Sequence, residues 1–527
     1  MFKPIRQTMA WLHSWLGLLL GWVMFTIFVT GAMSYYKDEI NLWSEPQLAK
    51  IEYQQSDAIR HAYQYLQENA TNADEWYINL PTEKKPVTAL YWNGKEGFNQ
   101  ALLNPQTHDE LLLDNDVPLG EFFYRFHYQL HGMNIIYTRI FMSFVAFVML
   151  LAIIAGIITH KKIFSDFFTL RVFKGQRSWL DFHNISSVIA LPFFLTICFT
   201  GLAIFFYLYI PQGMKQLYGD NNLPYFTEIK EQVSDISNNK NAPAATMQDI
   251  DIFMKTLHAQ WGDAELKNIV VKNPQRSNAT ILFEQTQDRS ISQDNPRLEF
   301  NAITGELLDD RKNRSVLATM RASIYGLHRA PFAETATRLA LFFSGLLGSV
   351  MIASGLLLWS LKRQLQNKTG EESAGHYLVD RLNIATIIGL PLAILLSFFA
   401  IRLQSIMKDN ELSDFFSFPF INTFLWAWLL SFTFSMLTPK ARLWRSLLIP
   451  LALLCFILPM FDLIYLWSFD HIQNVQQYWL FLRVDIFILA LGLFTLFLIT
   501  RIQPIAQKAR QKIERKLQSP NSSEMQG

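Results

Sequence analysis

Apolar residues run through this chain in blocks too long and too continuous for the half-buried helices of a soluble domain. Eight blocks stand out, at about 11–36, 133–159, 183–208, 335–360, 380–402, 417–438, 446–468 and 478–500. Each is as long as the roughly 20 residues that a helix needs to cross about 30 Å of hydrocarbon. The pattern predicts a polytopic α-helical membrane protein with about eight transmembrane helices. Composition agrees, because 50% of the 527 residues are apolar and 17% charged, whereas a soluble domain carries about 25% charged residues. Cys198 and Cys455 both fall inside apolar blocks, so neither a disulfide framework nor a CxxC site is expected. The net charge of +2 gives no reason to expect a nucleic-acid partner. The expected surroundings are membrane lipid.

The connections between blocks alternate in character. Lys161, Lys162, Arg171, Lys174 and Arg177 face a single acid, Asp166, after the second block, and Lys440, Arg442 and Arg445 follow the sixth. The tail holds Arg501, Lys508, Arg510, Lys512, Arg515 and Lys516, while the turn around Asp470 and His471 has no Lys or Arg. The positive-inside rule then places both termini in the cytoplasm. The first block follows Lys3 and Arg6 as a signal peptide would, but it is long, lacks an A-x-A site and contains His13, so a retained helix is expected. The chain divides into a first membrane segment 1–36, an external domain 37–126, a second segment 127–160, a basic loop 161–182, a third segment 183–208, a second external domain 209–327, a fourth segment 328–360, a loop 361–379, a four-helix extension 380–500 and a basic tail 501–527.

Polar–apolar alternation changes period in the two external segments, which both read as small α+β domains. The first has a helix over Ser56 to Glu68 and a strand at Ala89-Leu90-Tyr91-Trp92; the second has a helix over Thr246 to Trp261 and strands at Asn268-Ile269-Val270-Val271 and Ala279-Thr280-Ile281-Leu282-Phe283. Their closing turns match, Leu103-Asn104-Pro105-Gln106-Thr107-His108-Asp109 against Phe300-Asn301-Ala302-Ile303-Thr304-Gly305-Glu306. The helices repeat too. His13 with Thr30-Gly31 corresponds to His183 with Thr200-Gly201, Tyr124 to His127 corresponds to Tyr325 to His328, and Arg139 with Gly156 corresponds to Arg338 with Gly355. A parallel repeat of helix, external domain and helix follows, with a pseudo-two-fold axis along the membrane normal. A third partial copy lies in the fifth block, where Asp380-Arg381-Leu382-Asn383 matches Asp181-Phe182-His183-Asn184 and the histidine has become Leu382.

An ionisable group inside a membrane helix is costly and therefore a candidate for function. His61, His108 and His258 lie in the external segments and His376 and His471 in loops, where surface positions explain them. The other six group at two levels, with His13, His160 and His183 on the cytoplasmic side and His127, His131 and His328 on the external side. Taken singly, each could be an interfacial residue. His127 and His131, four residues apart, are expected on one helix face. Zinc and iron sites usually add carboxylates or cysteines, and none is repeated beside His13 and His183. Paired imidazoles in aromatic, apolar surroundings, with Gly17 and Gly21 admitting a flat ring, suit b-type haem, two in all. His13 and His183 are the expected ligands of one haem, with His160 in reserve; His328 with His131 or His127 are those of the other. Arg139 and Arg338 could pair with haem propionates or snorkel to the interface. Asp462, Arg483 and Asp485 are further charges in apolar blocks; a structural ion pair or a proton or substrate route would account for them.

The His13-x-x-x-Gly17 start, Phe122-Tyr-Arg-Phe-His-Tyr-Gln-Leu-His131, the run from Gly156 through His160 to Arg171, Trp179-Leu-Asp-Phe-His183-Asn184 and Leu327-His328 together resemble the PepSY-associated transmembrane family of bacterial inner-membrane proteins. The resemblance covers residues 1 to about 360. It implies that the external segments are periplasmic PepSY domains and that a four-helix core holds the haems. Some members of that family are di-haem reductases that release iron from ferric siderophores in the periplasm. The expected function is therefore an oxidoreductase that passes electrons across the inner membrane to a ferric siderophore or other ferric chelate. No G-x-G-x-x-G follows a strand, so the electron donor is expected to be a separate cytoplasmic or membrane protein. No catalytic acid, base or nucleophile is expected. Two other classes compete: a PepSY-based regulatory or binding protein without redox chemistry, and a transporter of metal chelates.

Overall fold

A computed structural model of the chain describes residues 4–94, 97–113, 115, 117–160, 176–219, 242–286, 290–292, 295–309, 316–366, 373–407, 419–468 and 475–518. The basic residues at 161–174 and the turn with Asp470 and His471 lie outside them. In chain order the helices are α1 Ile5–Ser34, α2 Lys37–Ser44, α3 Gln55–Asn69, α4 Leu119–Tyr128, α5 Ile135–Thr159, α6 Gln176–Ile189, α7 Leu191–Ile204, α8 Phe206–Tyr209 and α9 Pro211–Tyr218. They continue as α10 Ile250–Trp261, α11 Val316–Arg329, α12 Thr335–Gln366, α13 Ala374–Ile387, α14 Gly389–Met407, α15 Phe420–Leu437, α16 Lys440–Ser468 and α17 Val475–Gln518. Two compact units result, one of Met1–Ser44, Val117–Phe199 and Leu339–Gly527, the other of Glu45–Asp116 and Thr200–Arg338.

Among the described residues, seven helical stretches are long and apolar enough to cross a membrane, or eight if the pair Arg177–Ile189 and Leu191–Ile204, bent by 66°, counts as one span. This is a polytopic helical membrane protein. The bend has a sequence cause: Pro192 offers no N–H to the preceding turn and its ring crowds the helix before it. The helix is interrupted at Ala190, and again at Ile388 ahead of Pro391, where Ala374–Met407 still forms one span. Small residues set how closely α1 and α12 approach. A Cβ on Gly21 would come within 2.7 Å of Leu356, and one on Gly345 within 2.9 Å of Ala32. Gly21 therefore serves helix packing. Gly17 keeps open space, with nothing within 4 Å of an added Cβ.

The two α+β segments share a single sheet. Their strands, β1 Ala73–Asn79, β2 Thr88–Gly94, β3 Gly97–Leu103, β4 Leu266–Lys272, β5 Thr280–Gln285, β6 Arg297–Asn301 and β7 Leu307–Asp309, form one sheet in the order β3-β2-β1-β4-β5-β6-β7. The halves join where β1 and β4 run antiparallel, with Trp76 opposite Val271 and Ile78 opposite Ile269. Joining them removes two open sheet edges, each a template for unwanted pairing. The alternation of each strand puts Trp76, Ile78, Ile269 and Val271 on the inner face, where they share one core with Tyr63 and Leu66 of α3 and Phe253 of α10. The matching closing turns are built alike. Asn104 Oδ1 accepts from Gln106 N and Thr107 N, and Asn301 Oδ1 accepts from Ile303 N and Thr304 N. His108 at φ 70° stands where the second copy has Gly305 at φ 79°.

Candidate functional site

α1 carries His13 and α6 carries His183, and within the helical unit their rings meet edge to face with centroids 5.9 Å apart. Each is fixed by the long helix that follows its polar segment. His13 Nδ1 lies 2.8 Å from the Ala152 carbonyl of α5, and His183 Nδ1 lies 2.8 Å from the Met351 carbonyl of α12. A carbonyl only accepts, so both Nδ1 atoms carry the hydrogen and both Nε2 atoms keep the lone pair that binds metals. One turn beyond each carbonyl is a glycine. A Cβ on Gly156 would come within 3.2 Å of the His13 ring, and one on Gly355 within 3.1 Å of the His183 ring. The ring can lie flat against the helix only where the side chain is missing.

The same device appears at a second position of the repeat. His127, on α4, lies 2.8 Å through Nδ1 from the Ile27 carbonyl of α1, and a Cβ on Gly31 would come within 2.7 Å of its ring. As at His13, the carbonyl acceptor puts the hydrogen on Nδ1 and the lone pair on Nε2. In the other unit, His328 of α11 bonds through Nδ1 to the Thr200 hydroxyl at 2.9 Å, and a Cβ on Gly201 would come within 3.1 Å of its ring. His13 and Ile27 are fourteen residues apart on α1, or about 21 Å at 1.5 Å per residue.

The other candidates are held differently. α4 ends at Tyr128 and α5 begins at Ile135, so His131 lies in the intervening turn. It shares no helix face with His127, and a single helix from His131 to His160 does not exist. His131 is exposed, with its ring 5.6 Å from Phe122. His160 follows the end of α5, where its Nε2 lies 3.1 Å from Asn184 Nδ2. Arg139 Nε and Nη2 donate to Gln129 Oε1 at 3.1 and 3.0 Å, and its guanidinium covers Tyr128. Arg338 is partly buried near the start of α12.

Several contacts escaped the sequence reading. Trp359, which occupies the repeat position of His160, packs against Trp15 at 6.2 Å and His376 at 5.8 Å, and Arg363 covers its face at 3.7 Å. His376 belongs to α13, not to a loop. Trp22 Nε1 donates to Asn383 Oδ1 at 2.9 Å, tying α1 to the third copy of the helix frame. Asp462 finds its cation in Arg402 of α14, whereas Arg483 turns toward Trp479; the expected grouping with Arg483 is corrected. His61 and His108 stack with centroids 3.2 Å apart.

No cluster of three or more His, Cys, Asp or Glu suited to a metal ion occurs among the described residues. The family model described as the PepSY-associated TM region matches residues 10–362, more than half of the chain. No curated protein matches it. The match spans both copies of helix, polar segment and helix, and on that ground the chain belongs to the PepSY-associated transmembrane family.

Proposed function

We propose that the chain is a b-type haem protein of the bacterial inner membrane that carries electrons from the cytoplasmic side to the periplasm and reduces a ferric siderophore or other ferric chelate there. The observation that carries this reading is the facing pair His13 and His183, with both Nδ1 atoms on backbone carbonyls and both rings on glycines. Two imidazole nitrogens, each about 2 Å from one metal ion, put ring centroids about 6 Å apart, close to the 5.9 Å found. His127 and His328 are the remaining candidate ligands, each presented on a glycine within its own unit, and the proposal includes a second haem.

Haem bound to these residues supplies one-electron redox chemistry at a potential set by its ligands and the polarity around them. What the chain contributes is the fixed tautomer, the apolar enclosure and the placing of the histidine levels about 21 Å apart along α1. The joined sheet offers a continuous polar unit on which a chelate could dock. The electron donor is a separate cytoplasmic or membrane component.

The test is spectroscopic and functional together. Purified full-length protein should show a b-type Soret band whose α and β bands sharpen with dithionite, and adding a ferric siderophore should return the oxidised spectrum. Colourless protein from cells well supplied with haem would instead favour a regulatory or chelate-transporting role. Haem that stays reduced in the presence of every ferric chelate would remove the reductase assignment.

A further inference from the structure

The C-terminal helices enclose a charge cluster that the histidine chemistry does not use. Arg402 of α14 and Asp462 of α16 are both fully buried, and Asp485 of α17 is 6% exposed. Arg402 Nη2 lies 2.5 Å from Asp462 Oδ1 and donates to the Trp43 carbonyl of α2 at 2.6 Å. The guanidinium is covered by the rings of Trp43 and Tyr465, at 4.3 and 4.6 Å, and its Nε and Nη1 have no hydrogen-bond acceptor among the described residues. Trp43 Nε1 donates to Asp485 Oδ1 at 3.3 Å. The cluster thus joins three C-terminal helices to the helix that directly follows α1.

The charges do not balance. Two carboxyls share one guanidinium at membrane depth, where an uncompensated buried charge is strongly unfavourable. The carboxyls of Asp462 and Asp485 lie within hydrogen-bonding reach of each other, yet beyond Arg402 neither Asp462 oxygen receives a hydrogen bond from the described residues. Two acceptors face each other, and only a hydrogen between them turns the contact into a bond. Of the other titratable groups on these helices, Lys37 of α2 pairs with Asp38 and Glu121, and Glu39 on α2, Tyr465 on α16 and Arg483 on α17 stand closest in sequence to the cluster. Glu39 is buried one turn before Trp43, and Arg483 is turned to Trp479.

We propose that Asp462 and Asp485 form a proton-binding site: one hydrogen shared between the two carboxyls, held in place by Arg402 and Trp43. Losing that proton leaves two carboxylates against one guanidinium, so Asp485 is driven from Asp462 and pulls on Trp43 and α2. The C-terminal helices thereby link a protonation event to the end of the first histidine-bearing helix. This holds whether or not the histidines bind haem.

Infrared spectroscopy of the full-length protein in lipid tests it. The expected result is a protonated-carboxyl C=O band at neutral pH that shifts in heavy water, weakens as pH rises, and loses intensity in both Asp462→Asn and Asp485→Asn, because the one remaining acid then ionises beside Arg402. Arg402→Gln should leave both acids protonated and strengthen the band. The asparagine variants resemble the neutral acid in shape and should fold. The proposal fails if the wild-type protein shows no such band, as it would if water bridged two ionised carboxylates, or if the band persists unchanged in both asparagine variants, as it would if another acid carried the proton.

Discussion

The two copies of the repeat dock their histidines alike and differ just beyond. His13 meets Ala152 and Gly156, and His183 meets Met351 and Gly355, with the carbonyl and glycine four residues apart in each case. At the next equivalent position the copies part: His160 lies beside Asn184, whereas Trp359 packs on Trp15 and His376. What is common to both copies fixes a tautomer and makes room for a ring. What differs ties neighbouring helices together. The third copy sharpens the point, because Leu382 replaces the histidine while Asn383 still binds Trp22 and the break before Pro391 remains. The helix frame is a packing device, and the imidazole is added to it.

The polar unit gives the same comparison with larger energies. Both halves share one core, so damage to one should unfold the whole sheet. Phe253→Ala, at a fully buried ring, should cost about 3–5 kcal/mol, and chemical denaturation followed by strand circular dichroism should show both halves lost in one transition. Two separate transitions would break the single-sheet account.

Glycine substitutions test the equivalence of the histidine copies. Gly156→Ala and Gly355→Ala place a Cβ within 3.2 and 3.1 Å of the rings, and each should cost about 1–3 kcal/mol of overpacking. Both should shift the same Soret band, read by titrating haem into the apoprotein. A change in only one variant would show that the copies are not equivalent.

A smaller effect is expected at the closing turns. His108 holds the left-handed conformation that Gly305 adopts at its counterpart, at a cost of roughly 1–2 kcal/mol for a residue with a side chain. His61 is kept below its ordinary pKa by burial and then by the facing His108 ring, against the pull of Asp57. A lowered histidine contributes stability above its unfolded pKa and loses it as pH falls through the folded one. The polar unit should therefore weaken on acidification through that range, and His108→Gly should reduce the loss while stabilising the turn at neutral pH. Equal acid sensitivity in both proteins would refute the coupling. Trp22→Phe should cost least, about 1 kcal/mol for one hydrogen bond, measured by thermal melting.

The spans, the repeats and the four histidine–glycine correspondences were legible in the sequence because each leaves a periodic or positional mark. Gly31, Gly156, Gly201 and Gly355 stand at matched positions of the two copies. Their role was hidden, since each glycine meets a histidine more than 90 residues away in the chain. The joined sheet was hidden for a similar reason: β1 and β4 each alternate as half-buried strands do, and alternation does not name a partner. The end of α4 at Tyr128 removed the shared face of His127 and His131, a boundary that spacing alone misplaces. Arg402 sits in an apolar run with no acid nearby, so only packing could reveal Asp462 as its partner.

The central claim is that His13 and His183 hold one group between them, and haem content per chain in the histidine variants tests it most directly. His183→Ala and His13→Ala should each lose about one haem per chain, whereas His160→Ala should keep the wild-type content. Unchanged haem in His183→Ala, or its loss in His160→Ala alone, would contradict the account.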